Sequence, residues 1–537
     1  MMKKAIKKLL AALLAVAMVC AMAIPAFAYD TEEDLGKNHC YDVFQIFNGD
    51  VSKDNKISNV TWGQNIPDDK GFLAKLSTDS TLSSKFANAD SLQKVLDVMK
   101  DWTTSDDDSI AFARFVCNYI YTDSNANRVP VKTGHTNGFE IEEPGYYLIV
   151  DTSPFSSDAN ADSYHAYNSF LLKVNQKNHH VQITPKVVKP TVEKEVYDNN
   201  DIGSTGENNG WGSSADHAIN EEFQFQLIAT LPESENNGRA YDYYNEYAVL
   251  FNDTLSKGIT YDRLDSVVIK SEGHTYDITK DSSKYKVDDS QLKNDNSFVV
   301  SIPDVKTCVK DPGFNLNNGA TITVTYTAHL NENAAVNGSA ENKNSVRLQY
   351  SNNPRPDGEY WGYTPTPESE VYVYTYQLNN TKRAETENGT PLPGAGFKLY
   401  SDEAYEHEVK LYKEGNFYYP IKNALDKTPV EMKSADDGTF NVRGLDAGTY
   451  YLKETTTPAD FTPCSVIPPV TITANHNGNR VELDSSKLST TIINKKAGGI
   501  TLPSTGGIGT TLFYVVGGGL MVAAIVLLVT KKRMENK

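Results

Sequence analysis

Few of the side chains that usually carry chemistry are grouped in this chain. Its ten histidines are scattered, and the adjacent His179 and His180 would face opposite ways on a strand, so they cannot share a metal. No HExxH, P-loop, GxSxG or EF-hand pattern occurs. The acidic clusters Asp106-Asp107-Asp108 and Asp288-Asp289 read as solvated turns rather than calcium sites. No metal set, cofactor or enzyme is therefore expected. Lysine, asparagine and a carboxyl have a chemistry of their own once they leave water. A lysine amine attacks only when neutral, and desolvation lowers its pKa toward that state. A carboxyl in the same apolar pocket has its pKa raised, so it stays protonated and can polarise an asparagine carboxamide. Ammonia then leaves and an amide cross-link remains, with no cofactor needed.

Such residues need rigid strands to hold them, and the composition supplies strand formers. The chain has 537 residues, enough for three or four domains. Its 31 tyrosines, with abundant Thr, Val and Asn, point to a β-rich extracellular protein. The formal charge of −18 repels phosphate backbones and excludes nucleic acid as a partner. Residues 29–185 read as a mixed α+β unit. Tyr41–Phe47 has a strand pattern, Ser91–Ile120 helical spacing, and Pro144-Gly145 turns into the strand Tyr146–Val150. No Lys–acid–Asn pattern stands out there. A second unit, 186–370, runs from Lys189–Val196 to Val346–Tyr350, with alternating runs at Phe223–Leu227 and Thr321–Tyr326 that predict an antiparallel sandwich. A third, 371–500, runs from Val371–Thr375 to Thr491–Asn494 and is again strand-rich. The fold class expected is thus mainly β, tandem immunoglobulin-like sandwiches behind a mixed N-terminal domain.

The two ends fix the compartment. Residues 1–28 carry Lys3, Lys4, Lys7 and Lys8, an apolar run from Leu9 to Ile24, and Ala26-Phe27-Ala28, the pattern of a secretory signal peptide cleaved before Tyr29. At the other end, residues 501–537, Ile508–Thr530 is an uncharged run spanning about 35 Å, enough to cross a bilayer. Lys531-Lys532-Arg533 follow and would keep the C-terminus cytoplasmic. Leu502-Pro503-Ser504-Thr505-Gly506 stands just before the run. Pentapeptide, span and basic tail in that order resemble the sorting signal of Gram-positive sortase substrates. The resemblance implies sortase attack on the Thr505–Gly506 bond and transfer of the Thr505 acyl group to an amine.

Tyr450-Tyr451-Leu452-Lys453-Glu454-Thr455, with Pro458 and Phe461, resembles the E box of sortase-assembled pilins. Leu392–Tyr400 resembles the opening of the collagen-adhesin B-type (Cna B) fold. In that family a lysine on the first strand joins an asparagine on the last, with an acid beside both; the resemblance assigns Lys382, Asn494 and Glu454. A related pattern marks the second unit. Lys194 lies in Pro-Thr-Val-Glu-Lys, Asn344 precedes Ser345–Tyr350, and Asp253 lies in a segment similar to the family's Asp-x-Leu-x-x-Gly. Lys186 and Lys189 are neighbours that leave a registry alternative to Lys194 open. Each cross-link would close a loop of more than 100 residues, worth about 5 kcal/mol by analogy with disulfides.

The resemblance also asks for an exposed lysine after a proline to accept the Thr acyl group. Val181–Lys186 fits in part, with Thr184 and Val187 replacing the family's Tyr and Asn, and Lys189 is the rival. The expectation is a shaft subunit of a covalent surface pilus. Its partners would be a pilin-specific sortase, identical subunits, minor pilins, peptidoglycan and a host surface ligand. The alternative is a wall-anchored adhesin or minor pilin without an acceptor lysine. Of the four cysteines after the signal segment, Cys40 and Cys117 share a domain and could pair; spacing alone does not decide it.

Overall fold

The computed structural model describes residues 40–534 apart from 52–56, 104–105, 136–138, 153–168, 182–189, 199–209, 235–238, 353–364 and 499–507. The signal segment, Lys186 with Lys189, and the LPSTG pentapeptide lie outside the described residues. Three units follow one another, each with its own apolar core.

In the first, strand Cys40–Val51 runs antiparallel to Ile57–Trp62 on one side and Gly145–Asp151 on the other, with Ser169–Val174 beyond. Helix Asp107–Thr122 buries Ile110, Phe112, Phe115, Val116 and Ile120 in this unit's core. The helical spacing over Ser91–Ile120 resolves into two helices, Leu92–Met99 and Asp107–Thr122. Between them the Asp106 carboxylate accepts from the Thr103 N–H and hydroxyl at 2.7 and 2.6 Å.

The middle unit is a sandwich of two six-stranded sheets. One carries Thr191–Tyr197, Glu222–Leu231 and Ala320–Leu330 as neighbours; the other carries Val249–Leu255 beside Lys343–Tyr350. The alternation of Phe223, Phe225, Leu227 and Ala229 with polar residues turns one face inward, as period-2 patterning requires of a half-buried strand. Strand Ser369–Tyr374 straddles the 370/371 division and hydrogen-bonds to Lys343–Tyr350, within the middle sandwich.

The C-terminal unit packs two five-stranded sheets around Phe397, Phe440, Val442, Leu452 and Ile492. Its first strand, Tyr376–Ala384, lies parallel to its last, Ser489–Asn494. The middle and C-terminal units meet closely. The Ile219 N–H donates to the Gly444 carbonyl at 3.0 Å, and a Cβ at Gly444, which has φ +85°, would stand 2.5 Å from the Ile219 side chain. Glycine there permits both the left-handed backbone and the contact.

A helix covers Ile508–Met534, with the side chains of 516–532 described and mostly exposed. Among the described residues no helix is long and apolar enough to cross a membrane. The first part of the expected span falls outside those described side chains.

Candidate functional site: two buried lysine–carboxyl–asparagine clusters

Lys194 is one of seven residues in Thr191–Tyr197 and the first of three buried ones. Its place is fixed by pairing with Leu227 across the sheet and by its backbone N–H, which donates to Ser369 Oγ at 2.9 Å. The amine therefore points into the sandwich, where its side chain has no exposure. It lies 5.2 Å from the centre of the Phe225 ring and 5.3 Å from that of Tyr326. From the opposite sheet come Asp253 and Asn344, on adjacent strands in register through Asp253↔Val346 and Leu255↔Asn344. Both are fully buried.

The Lys194 amine donates to Asp253 Oδ2. Burial pushes the amine down to about 8, against the opposing pull of Asp253. Burial likewise pushes the Asp253 carboxyl up, with Lys194 and Tyr326 acting against it. The two shifts bring amine and carboxyl toward each other, so a neutral amine beside a neutral carboxyl becomes accessible to the pair.

Sequence reasoning missed the fourth member, Tyr326. Its hydroxyl sits between the others: it accepts from Lys194 Nζ at 3.1 Å and from Asn344 Nδ2 at 2.6 Å, and donates to Asp253 Oδ1 at 3.1 Å. The ring is locked by Phe225, Phe298 and Tyr261 at centroid distances of 5.3, 5.1 and 5.6 Å. A signal for it existed. In Thr321–Tyr326 the tyrosine falls in the inward phase with Ile322 and Val324, and a buried phenol must find a polar partner.

The C-terminal cluster uses the sheets differently. Lys382 and Asn494 lie on the parallel first and last strands of one sheet, where Lys382 pairs with Ile492 and Ala384 with Asn494. That register makes Lys382 and Asn494 diagonal neighbours on one face. Glu454 stands on the facing sheet, paired with Phe397. The side chains of Lys382 and Glu454 are 0% and 1% exposed. Lys382 Nζ donates to Asn494 Oδ1 and lies 3.5 Å from Glu454 Oε2. Asn494 Nδ2 donates to Glu454 Oε1 at 2.6 Å, and the Cys464 N–H donates to Glu454 Oε2 at 2.8 Å. Burial holds the Lys382 amine below its ordinary value, opposed by Glu454. The strand is set locally by the Lys382 N–H, which donates to the Gly438 carbonyl at 2.7 Å. Gly438 has φ +81° and would crowd the Lys382 carbonyl if it carried a Cβ.

All six residues expected from the sequence thus meet as two threes. In the C-terminal cluster the amine lies on the carboxamide oxygen and the Glu454 carboxyl on its nitrogen; in the middle one amine and carboxamide both meet the Tyr326 hydroxyl, which stands between Asp253 and Asn344.

Residues 378–487 match the SpaA prealbumin-like fold domain, and residues 494–536 match the LPXTG cell wall anchor motif. No curated protein matches the chain. Among solved structures, the T6 backbone pilin of serotype M6 Streptococcus pyogenes is 16% identical, with a TM-score of 0.50 over 88% of this chain and 100% of that one. The full-length major pilin SpaD from Corynebacterium diphtheriae is 18% identical, covering 86% of this chain and 94% of its own, with a TM-score of 0.41. The 35 kDa C-terminal fragment of the major pilin GBS80 of Streptococcus agalactiae is 20% identical over 57% of this chain and 99% of its own, with a TM-score of 0.40. At such identities the likeness is one of fold. A SpaA-type domain followed by an LPXTG anchor, on the fold of a backbone pilin, bears out the resemblance to Gram-positive sortase-assembled pilins.

Proposed function

We propose that this protein is the shaft subunit of a covalently polymerised surface pilus, each subunit stiffened by two internal amide cross-links, Lys194–Asn344 and Lys382–Asn494. The observation that carries the reading is that both lysines are buried in the described structure beside a carboxylate, with an asparagine in the same hydrogen-bonded cluster. An uncross-linked protein gains little from such an arrangement, because burying two charges costs several kcal/mol per ion.

The reaction balances without an external reagent. The amine passes a proton to the carboxylate, and the neutral nitrogen attacks the asparagine Cγ. The carboxyl returns a proton to the departing nitrogen, directly from Glu454 or through the Tyr326 hydroxyl from Asp253. Ammonia leaves, the attacking nitrogen gives up its second proton to the same carboxyl, and the amide nitrogen keeps one hydrogen. Glu454 and Asp253 are not consumed but end holding that one proton, and each acts once per chain, so the protein is not an enzyme in the turnover sense.

Assembly would use the ends. The C-terminal span, Ile508–Thr530, would hold the chain in the membrane until sortase cleaves after Thr505. Thr505 would then be joined to Lys186 of the next subunit, and finally to peptidoglycan. Minor pilins and a host ligand would complete the fibre. Immunoblots of wall extracts should show a ladder that survives SDS, and Lys186→Ala should collapse it to a monomer. A ladder that persists in Lys186→Ala cells moves the acceptor to another lysine, Lys189 first; no ladder in the unaltered strain favours the wall-anchored adhesin.

A further inference from the structure

The joint between the middle and C-terminal units buries a group of carboxyls. Asp198 follows strand Thr191–Tyr197, Asp216 ends strand Ser214–Asp216, and both are fully buried. The Asp216 N–H donates to Asp198 Oδ2 at 3.2 Å. Neither carboxylate oxygen of Asp216 accepts a hydrogen bond among the described residues, although a buried carboxylate ordinarily needs donors. The nearby Tyr376 hydroxyl faces Asp216 without a well-formed hydrogen bond to it, and burial and that carboxylate push it far up. Burial and the charges of Asp216, Glu221 and Asp198 hold the Asp446 carboxyl well above the usual carboxylate range. Facing the two aspartates is His476, on strand Ala474–Asn477 of the C-terminal unit, with Nε2 3.4 Å from Asp216 Oδ1. One ligand atom from each of Asp198, Asp216 and His476 lies within 4.8 Å of the others.

The imidazole's other neighbour decides its tautomer. Ser214 Oγ has one proton, which it donates to the Gly478 carbonyl at 2.7 Å. Its 2.7 Å contact with His476 Nδ1 is then one in which the nitrogen donates. In the neutral ring, Nε2 is therefore a lone pair turned toward a carboxylate, which is repulsive unless a cation lies between. Metal-bound histidines are held in this way, the far nitrogen donating to an outer partner. A ring proton is the other cation on offer. The 3.4 Å separation from Asp216 is long for a charge-assisted hydrogen bond. It is close to the roughly 3.3 Å between two ligands bound tetrahedrally to one zinc at about 2.0–2.1 Å.

We propose that Asp198, Asp216 and His476 form a binding site for a divalent transition cation of the zinc class, which pins the C-terminal unit to the middle one. An imidazole among three donors argues against calcium, which takes six to eight oxygens. The proposal stands apart from the cross-links, since none of the three residues belongs to either cluster.

The test uses the full chain, purified in detergent without an affinity tag, stripped with a chelator and titrated with Co2+ and Zn2+. One equivalent should bind, with visible Co2+ bands that Zn2+ displaces, and Zn2+ should raise the melting temperature. His476→Gln and Asp216→Asn should each weaken Zn2+ binding at least tenfold, with far-UV circular dichroism unchanged. Should Asp216→Asn fail to fold, His476→Gln and the Co2+ spectrum of the unaltered protein decide the matter. Absence of binding in the unaltered chain, binding unchanged in His476→Gln, or preference for Ca2+ over Zn2+ would overturn the proposal. A melting temperature that follows pH but ignores Zn2+ would also overturn it, leaving an imidazolium–carboxylate pair only.

Discussion

The two buried lysines solve one problem on opposite plans. In the middle unit Lys194 reaches across the sandwich to an aspartate on the facing sheet, and Tyr326 links that pair to the asparagine. In the C-terminal unit Lys382 and Asn494 share a sheet, as first and last strands side by side, and only Glu454 comes from opposite. A cross-link in the first would staple two sheets together; in the second it would staple two strands against sliding. The acids differ accordingly. Glu454 has the length to reach over its own sheet partners, and the Cys464 N–H anchors it. Asp253 is shorter, stands beside its asparagine's strand, and is joined to Asn344 by Tyr326. Which sheet supplies the lysine thus decides whether the carboxyl touches the carboxamide itself or needs an intermediary.

The largest effect should come from breaking the middle site. Asp253→Ala leaves Lys194 buried with no counter-charge, costing about 3–5 kcal/mol, and forfeits a cross-link worth about 5 kcal/mol by loop entropy. We expect the middle unit to melt early or fail to fold, by calorimetry, while the Lys382–Asn494 bond still forms. Glu454→Ala should be gentler. It should abolish the C-terminal bond alone, and the chain should lose one ammonia rather than two. Residues 376–494 should then become protease-sensitive, because fraying of the end strands is no longer blocked. A bond that still forms in Glu454→Ala would mean another acid serves Lys382.

Tyr326→Phe sharpens the comparison most. It should slow bond formation in the middle unit by about a hundredfold, the usual contribution of a positioned proton carrier, and leave the C-terminal unit untouched. Time-resolved mass spectrometry after refolding of unbonded chain reads the rate; equal rates with and without the hydroxyl would reduce Tyr326 to packing. The smallest effect is one of pH, followed in the same slow variant. The Lys194–Asp253 pair holds the same number of protons whether charged or neutral, so its rate should be flat from about 8 down to the raised carboxyl's own titration, below which a second proton on Asp253 keeps the amine charged. The rate should fall as pH rises through about 8, when the pair no longer has a proton to give the leaving nitrogen.

Much of this was legible before the fold was known, for physical reasons. Alternation in Phe223–Leu227 and Thr321–Tyr326 marks half-buried strands, whereas Lys194, Asn344, Lys382 and Asn494 followed from the resemblance to pilin domains rather than from that alternation. Tyr326 was not singled out because it is one of 31 tyrosines in a strand-rich chain, and only the approach of two sheets brings its hydroxyl to Asn344. Asp198, Asp216 and His476 were beyond reach for a stronger reason. They come from two units, with His476 260 residues beyond Asp216 by number, and no local spacing announces them. Helical spacing over 91–120 did not show the break between Leu92–Met99 and Asp107–Thr122, a gap of a few residues that periodicity smooths over.

The central claim is covalent, and the mass of the chain tests it most directly. A recombinant chain from Tyr29 to Thr501 should weigh about 34 Da less than its sequence, two ammonias lost by condensation. Its digest should contain branched peptides joining Lys194 to Asn344 and Lys382 to Asn494. A mass equal to the unmodified sequence would contradict the account of both clusters.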